Sequence, residues 1–272
     1  GMAGLLNFSF FIAYGVMSIP AGILTERYKE KKVITAAFLL ATSGALLFSF
    51  IPAFGVYLPS LFLIGMGMAI LQVAINPLLR VSGGEENFAF TSVLGQLFFG
   101  GASFLSPLLY SYLVTNLSAG NTSGFLLSTL NELVPGYLKW VSIYWIFALI
   151  AATMVIVVLI SKFPKVELNE EEKVGSFSTI KELLKNRTVI LFFLGIMAYV
   201  GTEQGVASWI SKFLEDYHGM SPEVEGAKAI SWFWGLLTVG CILGLRLLKL
   251  MDSKIVLRIF VLAAMISLAT AL

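Results

Sequence analysis

One stretch of the chain places polar, ionisable chemistry inside apolar sequence. Residues 199–209 read YVGTEQGVASW and lie within a hydrophobic run from about 189 to 214. An acid and an amide, Glu203 and Gln204, stand at its middle between Gly201 and Gly205. A carboxyl group can take up and release a proton, and an amide both donates and accepts hydrogen bonds. The pair could therefore bind a polar ligand or carry a proton.

The element that must position this pair is a helix. At about 1.5 Å rise per residue, the run is long enough to cross a hydrocarbon layer of about 30 Å. An ionisable group at that depth costs several kcal/mol (about 3 on insertion scales) unless it is paired or faces water. We favour a polar cavity inside a helix bundle, on an ion or substrate path. The alternative is that Glu203 forms a buried interhelical hydrogen bond that only holds helices together.

Composition supports a membrane setting. The 272 residues are 58% hydrophobic and only 12% charged, with a mean hydropathy of +0.89. Globular proteins carry about a quarter charged residues, so the composition indicates an integral membrane protein. The only cysteine and histidine are Cys241 and His218, which supply no zinc cluster and no nucleophile–base pair. We therefore expect no enzyme, no metal and no cofactor, and the net charge of +2 predicts no nucleic-acid partner.

Eight apolar segments can be recognised in the chain. They cover about residues 5–24, 33–51, 58–79, 89–114, 140–161, 189–214, 229–248 and 255–272. Each is apolar over about 18 or more residues instead of alternating over about ten, which predicts an all-α membrane protein and not a barrel.

The basic residues are unevenly distributed between the loops. Fifteen of the 18 Lys and Arg residues fall on one side, and the other side holds only Lys139, Lys212 and Lys228. The positive-inside rule then makes the loops at 25–32, 80–88, 162–187 and 249–254 cytoplasmic. We expect a multi-pass protein of the inner cell membrane, and a monomer.

The organisation of the chain suggests two bundles. Residues 163–187 are the only extended polar stretch, so we predict a bundle at 1–162, a cytoplasmic linker, and a second, truncated bundle at 188–272. With this orientation the first segment starts outside, so we expect an internal piece of a longer transporter whose first helix precedes it. A complete eight-helix protein with its N-terminus outside is the alternative.

The end of the first segment carries a pattern that is repeated later. Gly22, Glu26, Arg27 and Lys32 form a glycine, an acid–base pair and a basic residue around a short turn. Gly244, Lys249 and Lys254 repeat Gly22, Arg27 and Lys32 at an offset of 222 residues. Such a repeat is typical of two homologous parallel halves. We interpret the pattern as a conformational latch, and ordinary basic flanking residues are the alternative.

Further polar or aromatic candidates lie inside three other segments. Gln72 and Asn76 are one turn apart before Pro77, on one helix face, and Gln96 is the only large polar residue inside the fourth segment. Trp234 could stack against a sugar ring or belong to packing or the interfacial aromatic belt. Interhelical hydrogen bonding is the alternative for Gln72 and Asn76.

Three motifs carry a family resemblance: PAGILTERYKEKK after the first segment, LQVAINPLLR in the third and YVGTEQGVASW in the sixth. The chain resembles the fucose–galactose–glucose:proton symporter family of the major facilitator superfamily, the fucose permease-like sugar transporters. The resemblance implies two six-helix bundles, of which this chain holds helices two to nine. It also implies alternating access around a midplane site, with a monosaccharide as substrate.

The resemblance assigns roles to individual residues. Asn76 and Pro77 match the family's Asn-Pro, and Glu203 falls where the family has Glu or Gln near the sugar. Gln72 replaces a fourth-helix glutamate that handles protons, so coupling could use Glu203, an acid on the absent first helix or sodium, or be lacking. We expect Glu203, Gln72, Asn76, Gln96 and Gln204 to bind sugar, with Tyr199, Trp209 and Trp234 as apolar walls, and H+ coupling through Glu203.

Two alternatives share the fold. One is a multidrug or organic-anion exchanger, whose sites are more apolar and often basic, whereas the interior ionisable residue here is acidic. The other is a sugar sensor that binds without transporting.

Overall fold

The computed structural model describes residues 2–84, 88–164, 185–248 and 250–271. Within these ranges the chain forms nine α-helices and no strand. The helices are α1 (Met2–Tyr28), α2 (Glu30–Phe50), α3 (Phe54–Gly83), α4 (Phe88–Ser118), α5 (Phe125–Leu133), α6 (Ser142–Ile160), α7 (Arg187–His218), α8 (Ala227–Leu248) and α9 (Ser253–Ala271). A 3-10 turn at Lys139–Val141 precedes α6, and a π turn at Pro222–Gly226 precedes α8.

The predicted apolar segments are helical. Seven helical spans of the described chain are long and apolar enough to cross a membrane: α1, α2, α3, α4, α6 with its 3-10 turn, α7, and α8 with its π turn. The eighth segment is α9, which has 19 residues. The prediction of an all-α membrane protein is confirmed, although α3, α4 and α7 continue beyond their apolar runs to 30, 31 and 32 residues. Helix α3 runs without a break through Pro77.

The described chain divides into two compact units. The first consists of Gly1–Ser92 and Leu109–Ser208, and the second of Val93–Leu108 and Trp209–Leu272. The predicted division at 1–162, 163–187 and 188–272 follows the sequence repeat instead and stays a prediction, since residues 165–184 of the linker lie outside the described residues.

Small residues bring the helices of the first unit together. A Cβ added to Gly65 of α3 would lie 2.4 Å from the Phe10 carbonyl oxygen of α1. One added to Gly67 would lie 2.6 Å from the Ala37 carbonyl oxygen of α2. Such distances leave no room for any larger residue, so Gly65 and Gly67 form a packing face of α3.

Both ends of the four-helix core of the first unit are closed by aliphatic and aromatic packing. At the end where α1 meets α2, buried Ala21, Val33 and Val158 belong to one cluster of α1, α2, α3 and α6. At the opposite end, the Phe48 ring stacks on Tyr57 with centroids 4.2 Å apart. The Tyr57 and Tyr144 hydroxyl groups are hydrogen-bonded there. The core of these four helices is thus filled by its own side chains at both ends.

The second unit pairs the middle of α4 with α8. A Cβ added to Gly100 would lie 1.9 Å from Thr238 Oγ1, and one added to Gly235 would lie 2.9 Å from the ring of Phe104. A Cβ on Gly101 would meet nothing within 4 Å. Gly100 therefore permits the close packing of α4 against α8, whereas Gly101 makes no such contact.

Candidate functional site

The best-defined polar group of the candidate site is built on α7. The Tyr199 hydroxyl donates to Glu203 Oε2 at 2.5 Å, one helical turn away. Gln204 Nε2 donates to Glu203 Oε1 at 3.3 Å. Helical periodicity brings residues i and i+4 together, so the sequence spacing itself produces the Tyr199–Glu203 contact. Each carboxylate oxygen has one donor, and the remaining lone pairs are open to a further partner.

The described part of the chain does not enclose Tyr199, Glu203 and Gln204. Glu203 and Gln204 are half-buried, and Tyr199 is exposed. A Cβ added to Gly201 or Gly205 would meet nothing within 4 Å. In the described part of the chain both donors to Glu203 come from α7 itself, so the hydrogen bonds of its carboxylate do not tie α7 to another helix. The role of Glu203 stays a prediction.

The amides of α3 lie on the outside of its packed face. Gln72 and Asn76 are both exposed, whereas Leu71, Ala74 and Pro77 are buried against the neighbouring helices. Neither amide makes a side-chain hydrogen bond within the described residues. The two side chains stand one turn apart on one face and are available to a ligand with paired hydroxyl groups.

The remaining candidates belong to the second unit. Gln96 is exposed on α4, and Trp209 is exposed on α7. Trp234 is half-buried on α8 and contacts the ring of Phe99 edge to face, with centroids 6.0 Å apart. Of the eight predicted binding residues, direct contacts join Tyr199, Glu203 and Gln204, and helix register joins Gln72 and Asn76. Roles in binding stay predictions for all eight.

The predicted latch residues are mostly exposed. Gly22 is half-buried, Glu26, Arg27 and Lys32 are exposed, and the Arg27 guanidinium lies 5.5 Å from the ring centroid of Tyr28. A Cβ added to Gly244 would meet nothing within 4 Å, and Lys249 lies outside the described residues. The latch stays a prediction.

Lys31, which the sequence analysis did not single out, is the basic residue that reaches a helix end. Its Nζ donates to the carbonyl oxygens of Leu159 and Ser161 at 2.8 and 2.9 Å. These carbonyls lie at the C-terminal end of α6, where backbone acceptors lack helical partners and a cation is favoured. Nothing in the local sequence specifies a partner about 130 residues away, so no signal could have found it. No group of three His, Cys, Asp or Glu side chains suited to a metal occurs in the ranges described.

Long apolar helices, small-residue packing faces and polar groups within the spans define a multi-pass membrane protein. The sequence profile of the Major Facilitator Superfamily matches residues 1–272, and the chain belongs to this family. The fold is similar to that of the Escherichia coli fucose:proton symporter FucP. The TM-score is 0.64 at 24% identity, covering 94% of this chain and 65% of that one.

Two sequence relatives are named as sugar transporters. A glucose/galactose transporter of Brucella abortus biovar 1 (strain 9-941) is 30% identical over 256 residues, which cover 92% of this chain and 58% of the relative. An L-fucose-proton symporter of Escherichia coli (strain K12) is 27% identical over 234 residues, covering 80% of this chain and 53% of the relative. The chain thus spans a little over half the length of these relatives. The resemblance stated from the sequence is confirmed.

Proposed function

We propose that this chain is part of a secondary active transporter that moves a monosaccharide of the fucose, glucose or galactose type by alternating access, coupled to protons. The observation that carries the proposal is the Glu203 carboxylate, held by Tyr199 and Gln204 within an apolar helix long enough to span a membrane. The names of the two sequence relatives, a glucose/galactose transporter and an L-fucose-proton symporter, support the substrate class.

The proposed mechanism rests on the acceptor positions of the Glu203 carboxylate that Tyr199 and Gln204 leave unused. An ionised Glu203 can accept hydrogen bonds from sugar hydroxyl groups, and the exposed amides Gln72 and Asn76 can both donate and accept. A proton taken up by Glu203 removes its charge and turns one oxygen into a donor, which changes its contacts with both the sugar and Tyr199. Proton binding and sugar binding are thereby linked at one side chain, as a reciprocal coupling between two ligands requires.

We also propose the arrangement that this mechanism needs. Two bundles, at 1–162 and 188–272, would rock about a shared site, joined by the linker at 163–187 on the cytoplasmic side. The loops at 25–32, 80–88 and 249–254 would lie on the same side, in the inner cell membrane.

The experiment is uptake by the full-length protein in proteoliposomes, against a panel of hexoses, with and without an inward proton gradient. We expect accumulation of one or a few monosaccharides that depends on the gradient. Inhibition of sugar uptake by unrelated organic anions or drugs would favour the exchanger. Sugar binding without flux would identify a sensor.

A further inference from the structure

The nine-residue helix α5 has three distinct sides, although the proposed transport mechanism makes no use of it. Its inner side is formed by Leu127 and Leu130, which are buried against Leu113 and Leu117 of α4. Ile143, Trp145 and Ile146 at the start of α6 border the same cluster. Helix α5 is therefore fixed to the adjoining ends of two spanning helices, within the first compact unit.

A second side of α5 is apolar but uncovered. Leu126 and Leu133 are seven residues apart, so they lie on the same flank, and they are 42% and 45% exposed. Phe125 begins the helix seven residues before Glu132 and lies on the side of that residue, whereas Tyr137 lies in the turn after the helix and is 85% exposed. Together Leu126, Leu133 and Tyr137, here called the apolar flank, offer large hydrophobic side chains that nothing in the described chain covers.

The opposite side of α5 is polar. Ser128 and Asn131 are half-buried and Glu132 is exposed. Asn131 Oδ1 accepts a hydrogen bond of 2.8 Å from Lys139 Nζ, which fixes the polar side toward the turn that leads into α6. A helix with one apolar and one polar flank is suited to a boundary between hydrocarbon and water.

The position of α5 identifies the boundary. Leu113 and Leu117 are in the last turns of α4, and Ile143 and Trp145 are in the first turns of α6, so α5 lies level with the ends of two candidate membrane spans. Aromatic side chains are enriched at this depth because their rings tolerate both phases.

We infer that the apolar flank of α5 inserts into the acyl–headgroup boundary of the lipid leaflet at this end of the protein. The surface is too small for a stable contact with a second copy, since two partly exposed leucines and one aromatic ring fall short of the about 800 Å² per partner of a standard interface. Insertion into lipid requires no minimum area, because its free energy grows with the apolar area that each side chain removes from water.

Spin labels on single cysteines test this inference in the full-length protein. The only native cysteine of this chain is replaced by Cys241→Ser, with any cysteine outside the chain also replaced. Labels are then placed by Leu126→Cys, Leu133→Cys and Tyr137→Cys on the apolar flank and by Ser128→Cys and Glu132→Cys on the polar side. In proteoliposomes, collision rates with oxygen, which concentrates in hydrocarbon, are compared with those of a water-soluble nickel chelate.

We expect oxygen to dominate at Leu126, Leu133 and Tyr137, and the nickel chelate to dominate at Glu132 and Ser128. Nickel-dominated collisions at both flanks would place α5 in water and overturn the inference. Low collision rates with both reagents on the apolar flank would also overturn it, because a second copy or another segment of the protein would then cover the leucines. The Tyr137 position keeps the test interpretable if either leucine variant fails to fold, since that side chain is 85% exposed.

Discussion

The hydroxyl of Tyr199 lies 2.5 Å from Glu203 Oε2, and both residues belong to α7. Hydrogen bonds of this length between a hydroxyl group and a carboxylate are charge-assisted and stronger than neutral ones. The pair therefore behaves as one unit, in which the tyrosine orients the carboxylate before a ligand arrives. Preorganisation of this kind lowers the cost of ordering the side chain when the ligand binds.

Removing the tyrosine hydroxyl should weaken sugar binding without unfolding the protein. We expect Tyr199→Phe to raise the KM for sugar uptake about ten-fold, because a hydrogen bond to a charged group is worth about 1.5 kcal/mol or more. Tyr217→Phe is the matched control, since Tyr217 lies on the same helix, exposed and packed on Phe213. Equal KM values for the two variants would show that Tyr199 does not position Glu203.

The exposed amides of α3 should contribute affinity and not stability. We expect Asn76→Ala and Gln72→Ala each to lower sugar affinity, measured by binding to the purified full-length protein, about five-fold or more per lost hydrogen bond. The melting temperature should stay unchanged because both side chains are exposed and the neighbouring core is untouched. Ile75→Ala, between them on the same helix, serves as the control. Loss of stability instead of affinity would assign the amides to helix packing.

The contact of α4 with α8 should be disrupted by a methyl group at Gly100 but not by one at Gly101. We expect Gly100→Ala to destabilise the protein by about 1–3 kcal/mol, because the added Cβ overlaps Thr238 Oγ1. Gly101→Ala, where that atom meets nothing within 4 Å, should have little effect. Thermal unfolding in detergent measures both.

A double variant tests whether steric overlap with Thr238 causes the loss of stability on Gly100→Ala. Thr238→Ala removes Oγ1 and Cγ2, two of the three atoms nearest to the added carbon. Gly100→Ala with Thr238→Ala should therefore be more stable than the sum of the two single changes predicts. Simple additivity would contradict this account of the contact.

Lys31 should stabilise the end of α6 against which it is bound. We expect Lys31→Met to lower the free energy of unfolding by about 1 kcal/mol, since two carbonyl oxygens lose their donor and the helix C-terminus loses a cation. Lys32→Met is the control, because Lys32 is exposed and contacts neither carbonyl. Equivalent unfolding curves for the two variants would show that the hydrogen bonds of Lys31 do not stabilise the end of α6.

The helices were predictable from the sequence because hydrocarbon thickness sets a minimum length for each apolar run. The Tyr199–Glu203 contact was also predictable from the sequence, since it follows from i, i+4 spacing. Two features were not predictable. The partner of Lys31 depends on tertiary packing of α2 against α6, and α5 is too short for its two buried leucines to make a periodic signal.

The ligand-binding roles were predicted from residue chemistry and resemblance. The structure gives more information about some of these residues than about others. It joins Glu203 to its two donors, and it leaves Gln72 and Asn76 free of protein partners within the described residues. For Trp234 it adds a packed aromatic neighbour, Phe99, which is compatible with either packing or a stacking surface. Sequence alone could not decide this because the contact joins side chains far apart in the chain.

Counterflow of labelled monosaccharide in proteoliposomes of the full-length protein tests the central claim most directly, with Glu203→Ala compared to Glu215→Ala. Glu215 lies near the end of the same helix, where its carboxylate pairs with Lys212 at 2.9 Å, so its loss removes an acid without touching the candidate site. We predict that Glu215→Ala exchanges sugar like the unmodified protein and that Glu203→Ala, folded and reconstituted to the same level, falls close to the rate of empty liposomes. Counterflow at the unmodified rate by Glu203→Ala would contradict the proposed role of Glu203 in sugar transport.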